Sequence, residues 1–382
     1  MAAALVTLEK SAKGGMQKFF KYVPAVVLCY LIAMLLCTLG VWDMAETKPA
    51  YSALKNNLTY AMIFAMLLRC NIRKVLKLGP KMLIGFFSAT LTIMIGFVCA
   101  FVLMKRTIGS DVWMGLCALC GSWIGGSGNM VAMQDALPVD PGAYACALTL
   151  NTVCYSVWIA LLIFMVRYSS KWNKSVKADT SKLSAIADVA NEEVEKEKKA
   201  KATSGDWVWM IGLALIVSAL SQWVGAKMGA GFAGMGLKMF DKGTCTTLFV
   251  TVLGLACAMT PLGKLPAANE LSSVLLYAVV ALLATQAPLN ALIEAPMWVV
   301  YGVFILVLHV VGMYILSKLF HWDLCMVSTA SVANIGGPAS APIIAVAYNP
   351  NYAGIGVLMG IFGQAIGNFF GLGMGWLLNL MA

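Results

Sequence analysis

The chain has 382 residues, of which 60% are hydrophobic and only 12% charged, with a formal net charge of +10 and a mean hydropathy of +0.83. This composition excludes an ordinary soluble domain and points to a polytopic membrane protein. It also removes the nucleic-acid reading that a basic soluble chain would invite, because the surplus Lys and Arg fit cytoplasmic loops. The 11 cysteines are scattered through apolar segments as small packing residues would be. Only Cys117 and Cys120 have ligand-like spacing, without the second pair that structural zinc normally wants. No cleavable signal peptide is expected, since residues 1–9 are too short to hold one.

In chain order, apolar stretches run over residues 22–42, 54–68, 82–104, 112–137 and 143–166, then 207–224, 244–260, 271–287, 297–317, 324–347 and 353–381. As helices, each would cross or nearly cross a ~30 Å hydrocarbon core. The hydrophilic segment 167–206 separates the two sets. Within it Glu192 with Lys196, Glu195 with Lys199 and Glu197 with Lys201 have i,i+4 spacing, which predicts a short solvated helix. The expected organisation is a first membrane repeat over 1–166, a charged cytoplasmic linker over 167–206 and a second membrane repeat over 207–382. An interaction tail is the other reading of the linker.

A glycine-centred motif occurs once in each half: Gly121-Ser122-Trp123-Ile124-Gly125-Gly126-Ser127-Gly128-Asn129 and Ser331-Val332-Ala333-Asn334-Ile335-Gly336-Gly337-Pro338-Ala339-Ser340. Gly-Gly and Gly-Gly-Pro interrupt helices. At membrane depth, freed backbone groups are tolerated only inside protein or against a polar cavity. Interrupted segments at matching positions of two halves point to the binding site of a secondary transporter. The alternative is close helix packing through small residues. Other matches keep the same order: Leu58-Thr59-Tyr60-Ala61 with Leu275-Leu276-Tyr277-Ala278, Pro80 with Pro296, and Gly96 with Gly312. They support a duplication.

The basic segments 10–21, 69–81 and 167–182 should be cytoplasmic by the positive-inside rule. Residues 82–104 then go out and residues 143–166 return, so 112–137 makes no net crossing. It reads as a re-entrant hairpin with its tip at 121–129, and the second motif as a hairpin entering from the cytoplasmic side. Broken helices that cross remain the alternative.

At each tip, helix N-termini would face an anion while carbonyls and hydroxyls would coordinate a cation. Ser122, Gly125, Gly126, Ser127 and Asn129 are the candidates around the first tip. Ser328, Thr329, Ser331, Asn334, Gly336, Gly337 and Ser340 are those around the second. The following helices add Asn151, Thr152 and Tyr155 in one half and Gln364 and Asn368 in the other. For these amides, interhelical bonding and substrate contact are both open. Carboxylates are scarce, and no acidic pair lies deep in a span. This favours Na⁺ coupling through neutral oxygens over a proton relay, with Asp135 and His309 as the groups that would carry a proton. His309 reads more simply as an interhelical hydrogen-bonding residue.

Two rivals have sequence support. Gly125-Gly126-Ser127-Gly128 and His309-Val310-Val311-Gly312 fit the serine and histidine motifs of rhomboid-type intramembrane proteases. They lie 182 residues apart in different halves, and their glycines have repeat partners that lack a serine or histidine. The chain is therefore not read as an enzyme. A passive channel is the other rival, but no ring of charge or filter sequence is visible.

The two glycine motifs and Gly363-Gln364-Ala365-Ile366-Gly367-Asn368 resemble those of the domain-of-unknown-function 819 membrane family, over most of the chain. The resemblance implies membership of the inverted-repeat group that includes cation/proton antiporters and bile-acid, citrate and glutamate transporters. Those relatives are commonly homodimers with a scaffold and a mobile transport domain. One departure is the short stub at residues 1–9, where the family usually has a full first helix. The combined expectation is an all-α polytopic protein of the bacterial cytoplasmic membrane. It has two inverted repeats of about five spans, each with a glycine-broken hairpin or discontinuous helix. Its function would be Na⁺-coupled symport of a small organic anion, amino acid or short acidic peptide, with no cofactor beyond a sodium ion.

Overall fold

A computed structural model describes all residues except 181–182, 196–201, 238–239 and 288. In chain order the first half contains α1 (Ala2–Ser11), α2 (Gly15–Tyr22), α3 (Ala25–Thr38), α4 (Met44–Leu67), the single turn α5 (Ile72–Val75), α6 (Gly79–Thr107), α7 (Val112–Gly125), α8 (Ser127–Ala136) and α9 (Pro141–Met165). The linker contributes α10 (Ser169–Val176) and α11 (Leu183–Glu195). The second half contains α12 (Ser204–Gly234), α13 (Lys242–Ala258), α14 (Ala268–Ala284), α15 (Ala295–Phe320), α16 (Leu324–Ile335), α17 (Gly337–Tyr348) and α18 (Ala353–Met381). No strand occurs among the described residues. Five helical stretches there are long and apolar enough to cross a membrane, Ile72–Thr107, Pro141–Val176, Ser204–Gly234, Leu292–Phe320 and Pro350–Met381. The protein is an all-α polytopic membrane protein.

The stretch around the first glycine motif folds back on itself. A Cβ on Gly121 would lie 2.7 Å from Met133 Cγ, and one on Gly125 would collide with the Asn129 side chain. Residues twelve apart in sequence therefore face each other across α7 and α8. The second motif does the same, because Ser328 on α16 hydrogen-bonds Tyr348 at the end of α17 over 3.0 Å. In one continuous helix those two residues would be about 30 Å apart. Both motifs are hairpins, and crossing broken helices are ruled out by these pairings.

The hairpins open toward opposite ends of the molecule. The mouth of the second is held by the linker: Leu324 N donates to Asn173 Oδ1 over 2.9 Å, and Trp172 Nε1 donates to Trp322 O over 3.3 Å. The basic segment before α6 lies at that same end, where Lys77 pairs with Glu193 at 2.8 Å and Lys81 donates to Asp179 O. The first hairpin opens at the far end. From there α9, with 25 residues and a length of about 37 Å, runs back to the linker.

Burial separates the central helix from the lipid-facing ones. In α18 the apolar window is 72% buried, against 22% for Pro141–Val176 and 28% for Leu292–Phe320. On α15 the exposed residues Val300, Val303, Val307, Val311 and Ile315 share one face. Such an apolar stripe would be a liability in water and suits contact with acyl chains. The core lies where α18 crosses both hairpins.

The linker helix α11 has an exposed face, which carries Glu192 and Glu195, and a buried one. Leu183, Ala187, Ala190 and Glu193 of α11 are buried, and Asn191 bonds both Asn351 O, at 2.7 Å, and Gly354 N, at 3.0 Å. The two alanines let the helix approach the start of α18, which a charge-spacing argument does not register. Lys196, Glu197, Lys199 and Lys201, which complete the three expected charge pairs, lie outside the described residues.

Candidate functional site

The tips of the two hairpins meet. Gly126 has φ 100° and Gly337 has φ 66°, values in the left-handed range that favours glycine and that turn each chain between its limbs. A Cβ on Gly337 would lie 3.6 Å from Gly125 O and 3.8 Å from Gly126 Cα, so the two breaks are in contact. At each break the burial is incomplete: Gly126 and Ser127 are half-buried in the first, and Gly336 and Pro338 in the second, where Ala339 is exposed.

Three helices surround this junction. The first is α18, whose Gly356, Gly360, Gly363, Gly367 and Gly371 form one face. A Cβ on Gly363 would strike Ile124 O of the first hairpin and lie 2.8 Å from Ala333 O of the second. One on Gly367 would lie 2.8 Å from Gly125 Cα, and one on Gly360 would strike Pro338. Side-chain-free contact lets the helix backbone lie directly on both tips.

Asn129 and Asn368 extend that contact with polar groups. Asn129 Nδ2 donates to Asn368 Oδ1 at 2.8 Å and to Gln364 O at 3.1 Å. Asn368 Nδ2 donates in turn to Thr251 Oγ1 of α13 at 2.9 Å. Asn129 Oδ1 is buried and has no hydrogen-bond partner. Gln364 itself is half-buried.

The second helix is α6, where Thr90 Oγ1 donates to Asn334 Oδ1 at 2.7 Å while Asn334 Nδ2 donates to Ala330 O at 2.9 Å. Asn129 and Asn334 thus belong to separate networks, each fixing its own hairpin to a different helix. The third helix is α9. Asn151, Tyr155 and Trp158 share a face at i, i+4 and i+7, and that face reaches both hairpins. Ser122 Oγ approaches Asn151 Oδ1 at 3.5 Å, Tyr155 OH bonds Ser340 Oγ, and Trp158 Nε1 donates to Ser331 Oγ at 3.0 Å. Thr329 is buried and its Oγ1 has no partner.

Ser331 also meets His309 Nε2 at 2.8 Å, while His309 Nδ1 lies 2.7 Å from Thr92 Oγ1. Thr92 in turn donates to Ala89 O at 2.9 Å. A neutral ring protonated on Nδ1 satisfies every group in this chain: Trp158 to Ser331, Ser331 to His309, His309 to Thr92, and Thr92 to the carbonyl. Ser127 is not among the partners of His309. Asp135 lies away from the tips, in an ion pair with Lys55 at 2.6 Å. Cys117 and Cys120 are buried thiols inside α7. Among the described residues no group of three or more His, Cys, Asp or Glu side chains is placed to hold a metal ion.

Sequence reasoning missed Thr90, Thr251 and Trp158. For Trp158 a signal existed, since it follows Tyr155 on the same helical face. For Thr251 there was a weaker one in the threonine-rich start of α13, where Thr244, Thr246, Thr247 and Thr251 are all buried. Nothing local marked Thr90 as the partner of a residue 244 positions away.

The fold and this junction define a multi-pass membrane protein built around two glycine-broken hairpins. The family profile for a protein of unknown function, DUF819, matches residues 1–381, and the chain belongs to that family. It is also similar to the uncharacterized membrane protein YjcL of Bacillus subtilis (strain 168), with 24% identity over 384 residues covering 94% of this chain and 92% of that protein.

Proposed function

We propose that the protein is a secondary active transporter that binds its substrate where the hairpin tips meet. One observation carries this reading: hairpins entering from opposite ends place Gly125 and Gly337 in contact. Broken segments meeting in this way leave backbone N–H and C=O groups free to hold an anion and a cation together.

The two halves are read as inverted repeats. Corresponding helices pack antiparallel, as inversion requires. Between α6 and α15, Gly96 faces Ile305 while Thr92, one turn earlier, faces His309, one turn later. Between α4 and α14, Arg69 at the end of one bonds Asn269 at the start of the other. The linker end, with its basic segments, is cytoplasmic in this reading, and the bilayer is the bacterial inner membrane. A homodimer is the assembly expected from the family resemblance.

The proposed reaction is Na⁺-coupled symport of a small organic anion, amino acid or short acidic peptide. Of the oxygens expected to hold Na⁺, Ser331 and Asn334 are engaged by His309, Trp158 and Thr90. That leaves Ser127, Thr329 and the tip carbonyls, to which Asn129 Oδ1 is added as a buried acceptor without a partner. Uptake of pooled organic acids, amino acids and short peptides into proteoliposomes, with an inward Na⁺ gradient and without it, tests the proposal. Gradient-dependent accumulation supports it. Equal equilibration under both conditions points to a passive channel instead.

A further inference from the structure

Away from the hairpin tips, a cavity of about 280 Å³ opens beside the mouth of the first hairpin, with Lys55, Gln134, Asp135, Gln222, Asp241 and Lys242 on its walls. Two of its polar atoms are buried, Gln134 Oε1 without a partner and Asp135 Oδ2 with only Tyr60 of the same wall against its carboxylate. Gln134 is 6% exposed, and the side chain of Asp135 is 4% exposed. A buried acceptor without a donor is costly, about 1–3 kcal/mol, so the structure has a vacancy here for a hydrogen-bond donor. Asp135 Oδ1 already holds Lys55 Nζ at 2.6 Å, and Asp241 caps α13 by accepting from Thr244 N at 2.8 Å.

We infer that this cavity is a binding site for a small zwitterion of the α-amino acid type, distinct from the hairpin junction. The lining is charge-balanced, with Lys55 and Lys242 against Asp135 and Asp241. A simple anion would meet two carboxylates there, and a simple amine would meet two ammonium groups. A molecule carrying both charges satisfies both sets. Its ammonium group donates to Gln134 Oε1 and Asp135 Oδ2, while its carboxylate lies toward the lysines. Water occupies ~30 Å³ per molecule in the liquid, so the cavity holds several waters' worth of ligand, far more than a bare ion needs. The inference rests on the transporter reading only for its purpose, which is to gather substrate at the outer mouth. Binding itself is measurable without transport.

The test uses the full chain in detergent micelles, with the thermal unfolding midpoint as the readout of ligand binding. Three pools serve as probes: the twenty protein L-amino acids, a carboxylate pool of acetate, propionate and succinate, and an amine pool of ethylamine and putrescine. In Na⁺-free buffer, where the Na⁺-dependent junction is not loaded, the amino-acid pool is expected to raise the midpoint while the other two leave it unchanged. Gln134→Met removes an orphan oxygen at nearly constant volume, and Lys242→Gln removes an exposed charge. Each should weaken the response at least tenfold in ligand concentration. Asn129→Ala, at the junction, should keep the full Na⁺-free response even where Na⁺-driven uptake is lost. No shift with amino acids overturns the site, as does an equal shift with the carboxylate or amine pool. So does a response that survives Gln134→Met and Lys242→Gln together, or one that disappears in Asn129→Ala.

Discussion

Asn129 and Asn368 lie 239 positions apart in sequence, yet Asn129 Nδ2 donates to Asn368 Oδ1 at 2.8 Å in the buried interior. Because Asn368 also donates to Thr251, a single amide pair fixes the tip of the first hairpin to α18 and α13. The same residue keeps one oxygen in reserve, since Asn129 Oδ1 is unpartnered. Under the proposed Na⁺ coupling, this is the acceptor that Asn129 would offer the ion.

Replacing Asn129 with Ala should abolish uptake while leaving membrane insertion intact. It strands Asn368 Oδ1, at a stability cost of about 1–3 kcal/mol. Asn334→Ala should have the same effect on uptake, through release of Thr90. Uptake assays beside detergent-solubilised size-exclusion profiles check both variants, and wild-type uptake by either rejects its role.

The glycine face of α18 gives a paired test. Gly363→Ala puts a methyl group against Ile124 O and Ala333 O at once, and overpacking of this kind typically costs about 1–3 kcal/mol. A lowered unfolding midpoint and reduced uptake are expected. On the same helix Gly373 has nothing within 4 Å of its would-be Cβ. Gly373→Ala should be neutral, or stabilising by up to ~1 kcal/mol from helix propensity. Equal midpoints for the two variants would remove the close approach from the account.

Coupling is read from linkage. If Na⁺ and substrate share the junction, substrate affinity should rise with Na⁺, Na⁺ affinity should rise with substrate by the same factor, and K⁺ should not substitute. Scintillation-proximity binding at several Na⁺ concentrations measures both. Transport that instead follows a pH gradient at constant Na⁺, and that is lost in Asp135→Asn or His309→Ala, would establish proton coupling.

Asn191 is expected to hold the linker in place. Asn191→Ala removes its bonds to Asn351 O and Gly354 N, so limited proteolysis within 167–206 should speed up severalfold. Unchanged cleavage would mean that the Lys77–Glu193 pair and the buried alanines suffice.

What the sequence reveals here divides by range. Gly125-Gly126 and Gly336-Gly337 mark the breaks because backbone conformation is a local property. The hairpin form is also legible, because basic residues near 69–81 and 167–182 fix which ends share a side and leave residues 112–137 without a crossing. Partner choice is not local. Asn334 is identifiable as a costly buried amide, but Thr90 is one of many threonines in apolar helices, and only the packed structure selects it. The buried face of the linker helix is illegible for a related reason. Charge spacing describes the exposed face of a helix, whereas Ala187, Ala190 and Asn191 act through the helices they touch.

The glycine face of α18 also bears on how the protein is made. Both hairpins precede this helix in the chain, so each leaves the ribosome before the surface on which its tip rests exists. Until Gly363 and Gly367 arrive, the carbonyls of Ile124 and Ala333 and the amide of Asn129 are without the backbone that covers them. The junction is therefore complete only once α18 has packed against both tips. Without α18, two polar breaks would stand unshielded in the bilayer, where free backbone groups are costly.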